Sequence, residues 1–488
     1  MTYQSRTTAH AHQTEAMTRL RANPSTFALL MGMGTGKTKV ILDEWGERVG
    51  ELPNLLVVAP AGSYGNWYLD RSPEEPGEAT KHLDPALRKD MLIHHWNSSG
   101  GVKWADALKK FLKTRDRPRM FVINVEAFSS VDRAVIACAT FLKSAPTLMV
   151  IDEATKIKGP TTRRTKAVLK LGALAAARRI ATGLVTPQSP LDLWSQFAFL
   201  DPAILACRTF VGFRSVYAIT RKEHFPGARW PVEIVVGFRN LDQLAKLIEP
   251  YSYRVHKETC LDLPPKIYTT RDVSMTPEQT RAYRELKEFA TTKLEAEVHV
   301  TATSVITQIL RMHQLLCGHL VDEHGEVHEL SEQRTGALLD VLAEHDGKAV
   351  IWVSYEHSLK KLYAVLEKEY GSGCVAAFWG GNRTERLDDE TRFKTDPKCR
   401  FMIATPGAGG MGNTWTVADL VIYFSNSYDL EQRVQSEDRT HRMGQSKSVT
   451  YVDLVARGTV DEKILHALRN KINLSAQITG QNWREWVI

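Results

Sequence analysis

Paired cysteines, long apolar runs and repeated segments are all missing from this sequence. The six cysteines among its 488 residues have no regular spacing, which favours reduced thiols over a disulfide framework. No apolar run approaches the about 20 residues of a membrane-spanning helix, and the first residues do not form a signal peptide. The absences argue against a membrane protein and a disulfide-rich secreted domain, and they predict a cytoplasmic protein.

A strong charge of one sign is also absent. The net charge of +7 suits a protein that binds a polyanion, but it does not identify one. Hydrophobic residues make up 43% of the chain and charged residues 24%, as in an ordinary globular protein. A chain of 488 residues is expected to form two or three domains.

Short apolar runs rich in β-branched residues alternate with helical stretches, a pattern that predicts parallel α/β sheets. In the first half the predicted strands are 26–31, 55–59, 120–124, 148–151 and 179–182. In the second half they are 349–354, 374–378, 401–404, 420–424 and 450–454. Two complete sets of strands imply two separate sheets.

The region between the two sets is predicted to be a mostly helical insertion, about residues 188–255, with a loop at 225–231. Leu263-Pro-Pro-Lys266 then breaks regular structure and is the linker candidate, so the predicted domains are 1–265 and 266–488. A helix is expected after Thr276, because a threonine cap, Pro277 and Glu278 favour a helix N-terminus.

A glycine-rich loop, Gly32-Met33-Gly34-Thr35-Gly36-Lys37-Thr38, follows the first predicted strand and leads into a helical run. Such a loop at a helix N-terminus directs backbone N–H groups toward phosphate oxygens. Lys37 would reach the β- and γ-phosphates of a nucleotide, and the Thr38 hydroxyl would hold Mg²⁺. The sequence therefore predicts a nucleotide site formed by residues 33–38.

Two acids, Asp152 and Glu153, follow the predicted strand 148–151. A parallel strand delivers such residues to the carboxyl edge of its sheet, where ligands bind. Asp152 would hold Mg²⁺ through its water shell, and Glu153 would orient and activate the attacking water. A simple helix cap is the alternative, but it does not account for the pairing with Lys37.

Two other residues, Gln13 and Trp67, each have two interpretations. Gln13 could read adenine, because its amide offers one donor and one acceptor to the base edge. The alternative is a surface glutamine on the first helix. Trp67 could be a packing anchor or a base-stacking platform, and packing is the favoured interpretation.

The segment from Gln435 to Gln445 combines arginines with glutamines near the end of the chain. Arg439 and Arg442 are three residues apart, a spacing that predicts both on one face of a helix. Cations in such an arrangement would stabilise the charge that spreads over a transferring phosphoryl group. A basic, solvated helix face is the alternative for an isolated pair of arginines.

In their order these motifs resemble helicase superfamily two, and within it the Swi/Snf-type DNA-translocating ATPases. The resemblance covers nearly the whole chain. It rests on Val57–Pro60 with Asn66-Trp67, Asn124–Glu126, Asp152–Thr155, Leu263–Lys266, Leu315–His319, Thr405–Asn413, Gln435–Gln445 and Gly458–Glu462.

The resemblance implies two RecA-like lobes in a monomeric motor that uses ATP and Mg²⁺ and moves on double-stranded DNA, either linear or branched. Lys37, Asp152, Glu153 and Gln435 would act on the nucleotide, with Arg439 and Arg442 as arginine fingers from the second lobe. Small residues and backbone amides would contact one strand's phosphates without reading bases. The candidates for these contacts are Pro60, Ser63, Asn124, Thr405, Gly409, Gly410 and Asn413.

Two departures from the family pattern bear on the coupling of hydrolysis to movement. Thr155 stands where the family usually has histidine, and Leu184-Val185 replaces the usual Thr-Pro after Thr182-Gly183. The predicted function is ATP-dependent translocation on duplex DNA that remodels DNA or protein–DNA complexes. A strand-separating DNA or RNA helicase and a hydrolysis-poor DNA-binding scaffold are the alternatives.

Three further expectations concern location, metals and partners. The minimal set of motifs resembles motors of prokaryotes and phages, which predicts the cytoplasm of a bacterial or phage-infected cell, with the nucleus as the alternative. His313, Cys317 and His319 lack a fourth ligand, so no zinc site is expected. Trp483 and Trp486 would either dock onto a lobe or anchor a protein partner.

Overall fold

The computed structural model describes residues 3–70, 72–73, 75–224, 231–255, 257–260, 262–296, 302–322, 324–382, 384–409 and 414–479. The chain divides into two compact units. The first unit contains the residues up to Ile219 and the stretch Phe238–Asp262, and the second contains Thr220–Gly237 and Leu263–Asn473. Among the described helices, none combines the length and apolar character needed to cross a bilayer.

The first unit is built on a seven-stranded sheet in which every strand pair is parallel. The strands up to Val255, in chain order, are β1 (Thr26–Met31), β2 (Asn54–Ala59), β3 (Leu92–His95), β4 (Arg119–Asn124), β5 (Thr147–Asp152), β6 (Ala177–Thr182), β7 (Ala218–Glu223), β8 (Val232–Phe238) and β9 (Ser252–Val255). The order across the sheet is β3-β4-β2-β5-β6-β1-β9, while β7 and β8 form a separate two-stranded sheet.

Helices cover both faces of this sheet. They are α1 (Ala11–Ala22), α2 (Lys37–Glu47), α3 (Glu78–His82), α4 (Pro85–Asp90), α5 (Val102–Lys113), α6 (Ala127–Ser130), α7 (Asp132–Ser144), α8 (Arg163–Gly172), α9 (Leu193–Leu200), α10 (Phe210–Tyr217), α11 (Leu241–Ile248) and α12 (Lys257–Cys260). Alternate residues of β2 enter different cores: Leu56 and Val58 one, Leu55 and Val57 the other. Burial on both faces is why the strand reads as a continuous apolar run.

The second unit has a six-stranded parallel sheet in the order β10-β17-β16-β13-β15-β14, and β11 and β12 form an antiparallel pair. Its strands are β10 (Lys266–Asp272), β11 (His319–Val321), β12 (Val327–Glu329), β13 (Lys348–Trp352), β14 (Val375–Phe378), β15 (Phe401–Ala404), β16 (Ala418–Tyr423) and β17 (Val449–Val455). From Pro277 onward the helices are α13 (Pro277–Ala296), α14 (Ala302–Leu316), α15 (Arg334–Ala343), α16 (Glu356–Tyr370), α17 (Arg386–Thr395), α18 (Pro406–Gly409), α19 (Leu430–Glu437) and α20 (Val460–Thr479).

The two parallel sheets confirm the predicted α/β class, as expected of two RecA-like lobes. Every predicted strand overlaps an observed one, and the helix expected after Thr276 begins at Pro277. Its cap is reciprocal: Gln279 N–H donates to Thr276 Oγ1 at 3.1 Å, and Thr276 N–H donates to Gln279 Oε1 at 3.1 Å. Threonine followed by glutamine three residues later satisfies two otherwise unpaired backbone donors.

The sequence did not predict seven strands of the described part of the chain, β3, β7, β8, β9, β10, β11 and β12, and the insertion is not mostly helical. Region 188–255 contains β7, β8 and β9 beside its helices. Strand β9 has only four residues, and β3 is half-buried and carries His94 and His95. Edge strands of this kind lack the continuous apolar signal of central strands. The predicted loop at 225–231 lies almost entirely outside the described residues.

Candidate functional site

The glycine loop of the first unit joins β1 to the N-terminus of α2. Gly34 and Gly36 have φ values of 77° and 81°, a left-handed conformation that favours glycine. A Cβ on Gly36 would also lie 2.1 Å from Gln13 Nε2, so this position requires glycine for space as well. The Thr35 hydroxyl donates to the Gly32 carbonyl at 2.7 Å and tightens the loop. The loop thus presents the helix N-terminus as a site for an anion.

Lys37 lies inside the curve of this loop. Its side chain is 8% exposed, and Nζ donates to the carbonyls of Met31 at 3.0 Å and Gly32 at 3.2 Å. Both of these acceptors are neutral, and the ammonium lies close enough to Asp152 to oppose the rise that burial causes in that carboxyl's pKa. A phosphate is the kind of anion that this arrangement accommodates.

Asp152 ends β5, and each of its carboxylate oxygens accepts one neutral hydrogen bond. Trp67 Nε1 donates to Oδ2 at 3.0 Å, and Glu153 N–H donates to Oδ1 at 3.1 Å. Burial raises the pKa of Asp152 by more than the nearby Lys37 and the Trp67 N–H lower it. A nearby cation would therefore stabilise the charged carboxylate.

Glu153 has a left-handed backbone, with φ of 49°. This conformation costs a residue other than glycine about 1–3 kcal/mol and persists where the surrounding structure imposes it, often at functional sites. Glu153 thus forms a turn directly after β5, which ends at Asp152.

The first unit's donor set fits Mg²⁺ and a nucleotide triphosphate. The Thr38 hydroxyl lies in the first turn of α2, and each Asp152 oxygen keeps a lone pair beyond its one protein donor. Hydroxyl and carboxylate oxygens, with water, are the ligands that Mg²⁺ prefers. The loop amides and Lys37 supply the matching positive groups for the phosphates.

Gln13 is 4% exposed, so the alternative of a surface glutamine is wrong. Its Oε1 accepts from His10 N–H at 3.0 Å, and its Nε2 donates to the Thr35 carbonyl at 3.0 Å. The ring of His12 bonds to the same carbonyl at 2.8 Å. The amide therefore supports the glycine loop from α1, and adenine reading stays a prediction.

The segment with the unusual Leu184-Val185 pair packs against the glycine loop. A Cβ on Gly183 would lie 3.2 Å from the backbone nitrogen of Met33, which shows how closely the two segments approach. The Thr182 hydroxyl donates to the Leu184 carbonyl at 2.8 Å, and Val185 is buried. Thr155 is buried as well. The effect of these departures on coupling stays a prediction.

The candidate DNA contacts of the first unit lie on two neighbouring loops that Glu126 connects. Its Oε2 accepts from Ala61 N–H at 3.0 Å and from Asn124 Nδ2 at 3.3 Å. Ser63 and Asn124 are half-buried, whereas Pro60 is buried. A contact at Pro60 would therefore involve its neighbours' backbone more than its ring.

In the second unit, the expectation that Arg439 and Arg442 share a helical face is wrong. Helix α19 ends at Glu437, and both arginines lie in the turns that follow it. Trp415 N–H donates to the Arg439 carbonyl at 2.7 Å and holds the first turn in place. Arg439 is 4% exposed, while Arg442 is half-buried with Nη1 donating to Thr414 Oγ1 at 3.1 Å.

The two glutamines of this segment have different surroundings. Gln435 lies on α19 and donates through Nε2 to Glu431 Oε1 at 3.2 Å. Gln445 Nε2 donates to the carbonyls of Ala418 at 2.9 Å and Thr440 at 3.1 Å, so it secures the turn. Gly444, with φ of 98°, supplies the reversal that this turn needs.

Sequence reasoning missed Arg433, whose guanidinium connects α19 to β17 in the second unit. It donates to Asp453 Oδ1 at 2.5 Å and to Glu437 Oε1 at 2.8 Å, and lies 3.5 Å from the centre of the Tyr423 ring. Burial disfavours its charge, yet Asp453 and Glu437 raise its pKa above the ordinary value. The i,i+4 spacing of Arg433 and Glu437 was the available signal.

The remaining candidate positions are only partly described. Thr405 is half-buried and lines a cavity of about 440 Å³ together with Trp379 and Ser427. Gly409 ends α18, whereas Gly410, Asn413, Trp483 and Trp486 lie outside the described residues.

The His313, Cys317 and His319 group forms part of the core of the second unit. His313 Nδ1 bonds to the Tyr355 hydroxyl at 2.7 Å, and its Nε2 lies 3.5 Å from Asp461 Oδ1. Burial lowers the pKa of His313 to about 4. Across the described ranges, no group of three histidine, cysteine or acidic side chains is arranged to hold a metal ion.

Comparison with known protein families gives two matches along the chain. The family model described as the SNF2-related domain matches residues 9–320, and that of the helicase conserved C-terminal domain matches residues 333–444. The first match includes the glycine loop with Asp152 and Glu153, and the second includes Thr405 with Arg439 and Arg442.

Curated relatives are similar at low identity. "TATA-binding protein-associated factor mot1" of Aspergillus fumigatus is 27% identical over 68% of this chain and 20% of its own length. "Putative ATP-dependent helicase/translocase YwqA" of Bacillus subtilis is 24% identical over 88% of this chain and 43% of its own length. The chain thus spans less than half the length of either relative.

Among solved structures, the "Sulfolobus solfataricus SWI2/SNF2 ATPase core in complex with dsDNA" is 22% identical, with a TM-score of 0.42. The similarity covers 100% of this chain and 97% of that one.

Proposed function

The chain belongs to the SNF2-related family, and from that premise we propose that it is a DNA-stimulated ATPase that translocates along double-stranded DNA. The observation that carries the proposal is the first unit's site, where Lys37, Asp152 and Glu153 meet at the carboxyl edge of a parallel sheet. A site of this composition suits phosphoryl transfer to water, because positioning and charge stabilisation supply most of that catalysis.

Each residue of the site has a proposed role in hydrolysis. The loop amides and Lys37 bind the phosphates, and Glu153 orients the attacking water and accepts its proton. Thr38 and Asp152 would hold Mg²⁺, which would supply positive charge to the phosphates. Arg439 and Arg442 of the second unit stabilise the charge of the transition state, and Gln435 contacts the nucleotide or its water.

The proposed DNA contacts are Ser63 and Asn124 of the first unit, with the loop that follows Pro60, and Thr405 of the second. Gly409, Gly410 and Asn413 complete the proposed set. Contacts to phosphates position a duplex without reading its sequence, as a motor that steps along DNA requires. The name of the Bacillus subtilis relative, a putative ATP-dependent helicase/translocase, supports this class of activity.

Remodelling of DNA or protein–DNA complexes is the proposed use of this movement. We also propose that the motor acts as a monomer in a prokaryotic or phage-infected cell. A contact of the C-terminal tail with a protein partner is part of the same proposal.

The experiment that tests the proposal measures ATP hydrolysis alone and with duplex DNA, single-stranded DNA or RNA. Duplex DNA should stimulate hydrolysis, and Glu153→Gln should abolish it while nucleotide binding persists. Displacement of a third strand from a DNA triplex then tests movement. Stimulation by single strands or RNA alone would indicate a strand-separating helicase. Duplex binding without hydrolysis would indicate a scaffold in which Thr155 and Leu184-Val185 have silenced the motor.

A further inference from the structure

The indole of Trp67 contacts the proposed metal-binding carboxylate directly. Trp67 is 2% exposed, and its Nε1 donates to Asp152 Oδ2 at 3.0 Å. With the Glu153 N–H on Oδ1, this bond gives the carboxylate one fixed donor on each oxygen. Hydrogen bonds to both oxygens restrict rotation of the carboxylate. The remaining lone pairs therefore keep a fixed direction.

The fold brings this side chain to Asp152 because β2 and β5 are adjacent and parallel. Val58 of β2 is in register with Ile151 of β5, so the segment that follows β2 passes beside Asp152. Trp67 ends a short 3₁₀ turn, Tyr64–Trp67, that begins just after β2.

That turn is held firmly by its own hydrogen bonds. Tyr64 N–H donates to the Pro60 carbonyl at 2.9 Å, and Asn66 N–H donates to the Ser63 carbonyl at 3.0 Å. The Ala61 N–H donates to Glu126 Oε2 at 3.0 Å and ties the start of the segment to β4's following loop. A rigid turn is what a side chain needs in order to fix the orientation of another group.

Packing alone does not account for the partner of this indole. Trp45 donates to the Leu52 carbonyl at 2.9 Å, and Trp96 donates to Ser98 Oγ at 3.0 Å, so both buried rings have neutral acceptors. Among the tryptophans in the described part of the chain, Trp67 is the one whose N–H is recorded on a carboxylate. A neutral acceptor would satisfy the indole N–H at a lower cost, because burying a charged carboxylate costs more free energy than burying a neutral group.

We propose that Trp67 is a positioning residue that holds the Asp152 carboxylate in the orientation in which it binds Mg²⁺. The inference rests on the proposed function, since it assigns Trp67 to the site that would hydrolyse ATP. It predicts that the Trp67 N–H, beyond the volume of the ring, determines how strongly Mg²⁺ supports nucleotide binding. Partners that orient metal ligands typically change metal affinity or activity by about 10–100-fold when they are removed.

The test compares two changes at position 67 with one matched control. Trp67→Phe removes the N–H and part of the ring. Replacement of Trp67 by benzothienylalanine, in which sulfur takes the place of the N–H, removes the donor and keeps the ring's size. Trp96→Phe loses a comparable indole bond in the same unit, far along the chain from the glycine loop, and is the control for lost packing.

Two readouts separate positioning from folding. Calorimetry measures ADP binding with saturating Mg²⁺ and in EDTA, and steady-state assays measure the Mg²⁺ concentration at half-maximal ATP hydrolysis. Both changes at Trp67 should raise that Mg²⁺ concentration about 10–100-fold and shrink the Mg²⁺-dependent gain in ADP affinity, while binding in EDTA stays unchanged. Trp96→Phe should leave both readouts at wild-type values.

Unchanged Mg²⁺ dependence in the benzothienylalanine protein would overturn the inference, and so would an equal effect in Trp96→Phe. Failure of the proposed function looks different, because the wild-type protein itself would then bind nucleotide without hydrolysing it. In that case the calorimetric comparison still decides whether Trp67 positions Asp152.

Discussion

The glycine-loop site of the first unit and the arginine segment of the second use their charged residues in opposite ways. In the first unit, the charged side chains of Lys37 and Asp152 lie together at one edge of the sheet, and the hydrogen bonds of both are with neutral groups. In the second unit, the cation Arg433 is buried, and its guanidinium donates to two carboxylates, those of Asp453 and Glu437. Arg439 and Arg442 follow in turns beyond α19.

The difference separates catalytic groups from groups that support them. Buried charges that pair with one another, such as Arg433, Glu437 and Asp453, stabilise the shape of the segment, and removing Arg433 leaves Asp453 without its cation. The pKa of Asp152 stays raised because burial outweighs the attraction of Lys37, so an additional cation would stabilise its charged form. The same comparison makes distinct predictions for variants in each unit.

The largest expected effect is on turnover, at Arg442. Arg442→Ala should lower kcat for DNA-stimulated ATP hydrolysis by about 10³-fold or more, because Arg442 is proposed as an arginine finger and such a residue contributes about 10³–10⁵ to phosphoryl transfer. Its half-buried side chain predicts little change in the unfolding transition. Steady-state kinetics and denaturant titration measure the two quantities, with Arg281→Ala on the exposed face of α13 as the control. Near-normal turnover in Arg442→Ala would remove it from the catalytic set.

The next effect is on stability, at Arg433. Arg433→Met should destabilise the second unit by about 3–5 kcal/mol, since it leaves Asp453 buried without its cation and removes one of the two cations beside Glu437. Arg457→Met is the matched control, because Arg457 is exposed in its pairing with Asp272 and should change stability by about 1 kcal/mol or less. Urea unfolding followed by circular dichroism gives both values. Equal losses in the two variants would contradict the supporting role assigned to Arg433.

The third prediction is that one substitution at Asp152 raises the stability of the protein and removes its activity. The raised pKa of Asp152 means that the folded protein favours its protonated form, so this contribution to stability is present at low pH and lost as pH rises through that pKa. At neutral pH, Asp152→Asn should therefore stabilise the nucleotide-free protein, by about 0.5–2 kcal/mol, and abolish hydrolysis.

The gain from Asp152→Asn should shrink as the solution is acidified, and denaturant titrations at several pH values measure it. Asp106→Asn, which changes an exposed carboxylate, is the control. A loss of stability at neutral pH would mean that the attraction between Lys37 and Asp152 outweighs the cost of burial.

The smallest predicted effect is at Gln13. It tests whether this side chain, which supports the glycine loop, also recognises adenine. Gln13→Ala should raise KM for ATP about five-fold, as expected for about 1 kcal/mol of lost hydrogen bonding. If Gln13 reads adenine, the preference for ATP over GTP falls as well. Thr14→Ala, at the exposed next position on α1, is the control. An equal rise in KM for both nucleotides would show support of the loop alone.

Sequence alone determined the features that depend on local order along the chain. Central strands such as β1 and β15 have the predicted bounds, because a strand that is buried on both faces consists of consecutive apolar residues. The glycine loop is equally readable, since left-handed φ angles at Gly34 and Gly36 restrict those positions to glycine. The Thr276 cap follows from local hydrogen-bond chemistry in the same way.

Only the tertiary structure decided which distant side chains meet. Trp67 and Asp152 are separated by 85 residues and meet because β2 and β5 are neighbours in the sheet. Arg433 of α19 and Asp453 of β17 are 20 residues apart and meet only in the folded unit. No local sequence pattern encodes that pairing. The end of α19 at Glu437 is likewise imposed by long-range contacts of the following turn, such as Trp415 with Arg439. Local sequence specifies strands, loops and caps, whereas the orientation of each charged group depends on partners that only folding brings into contact.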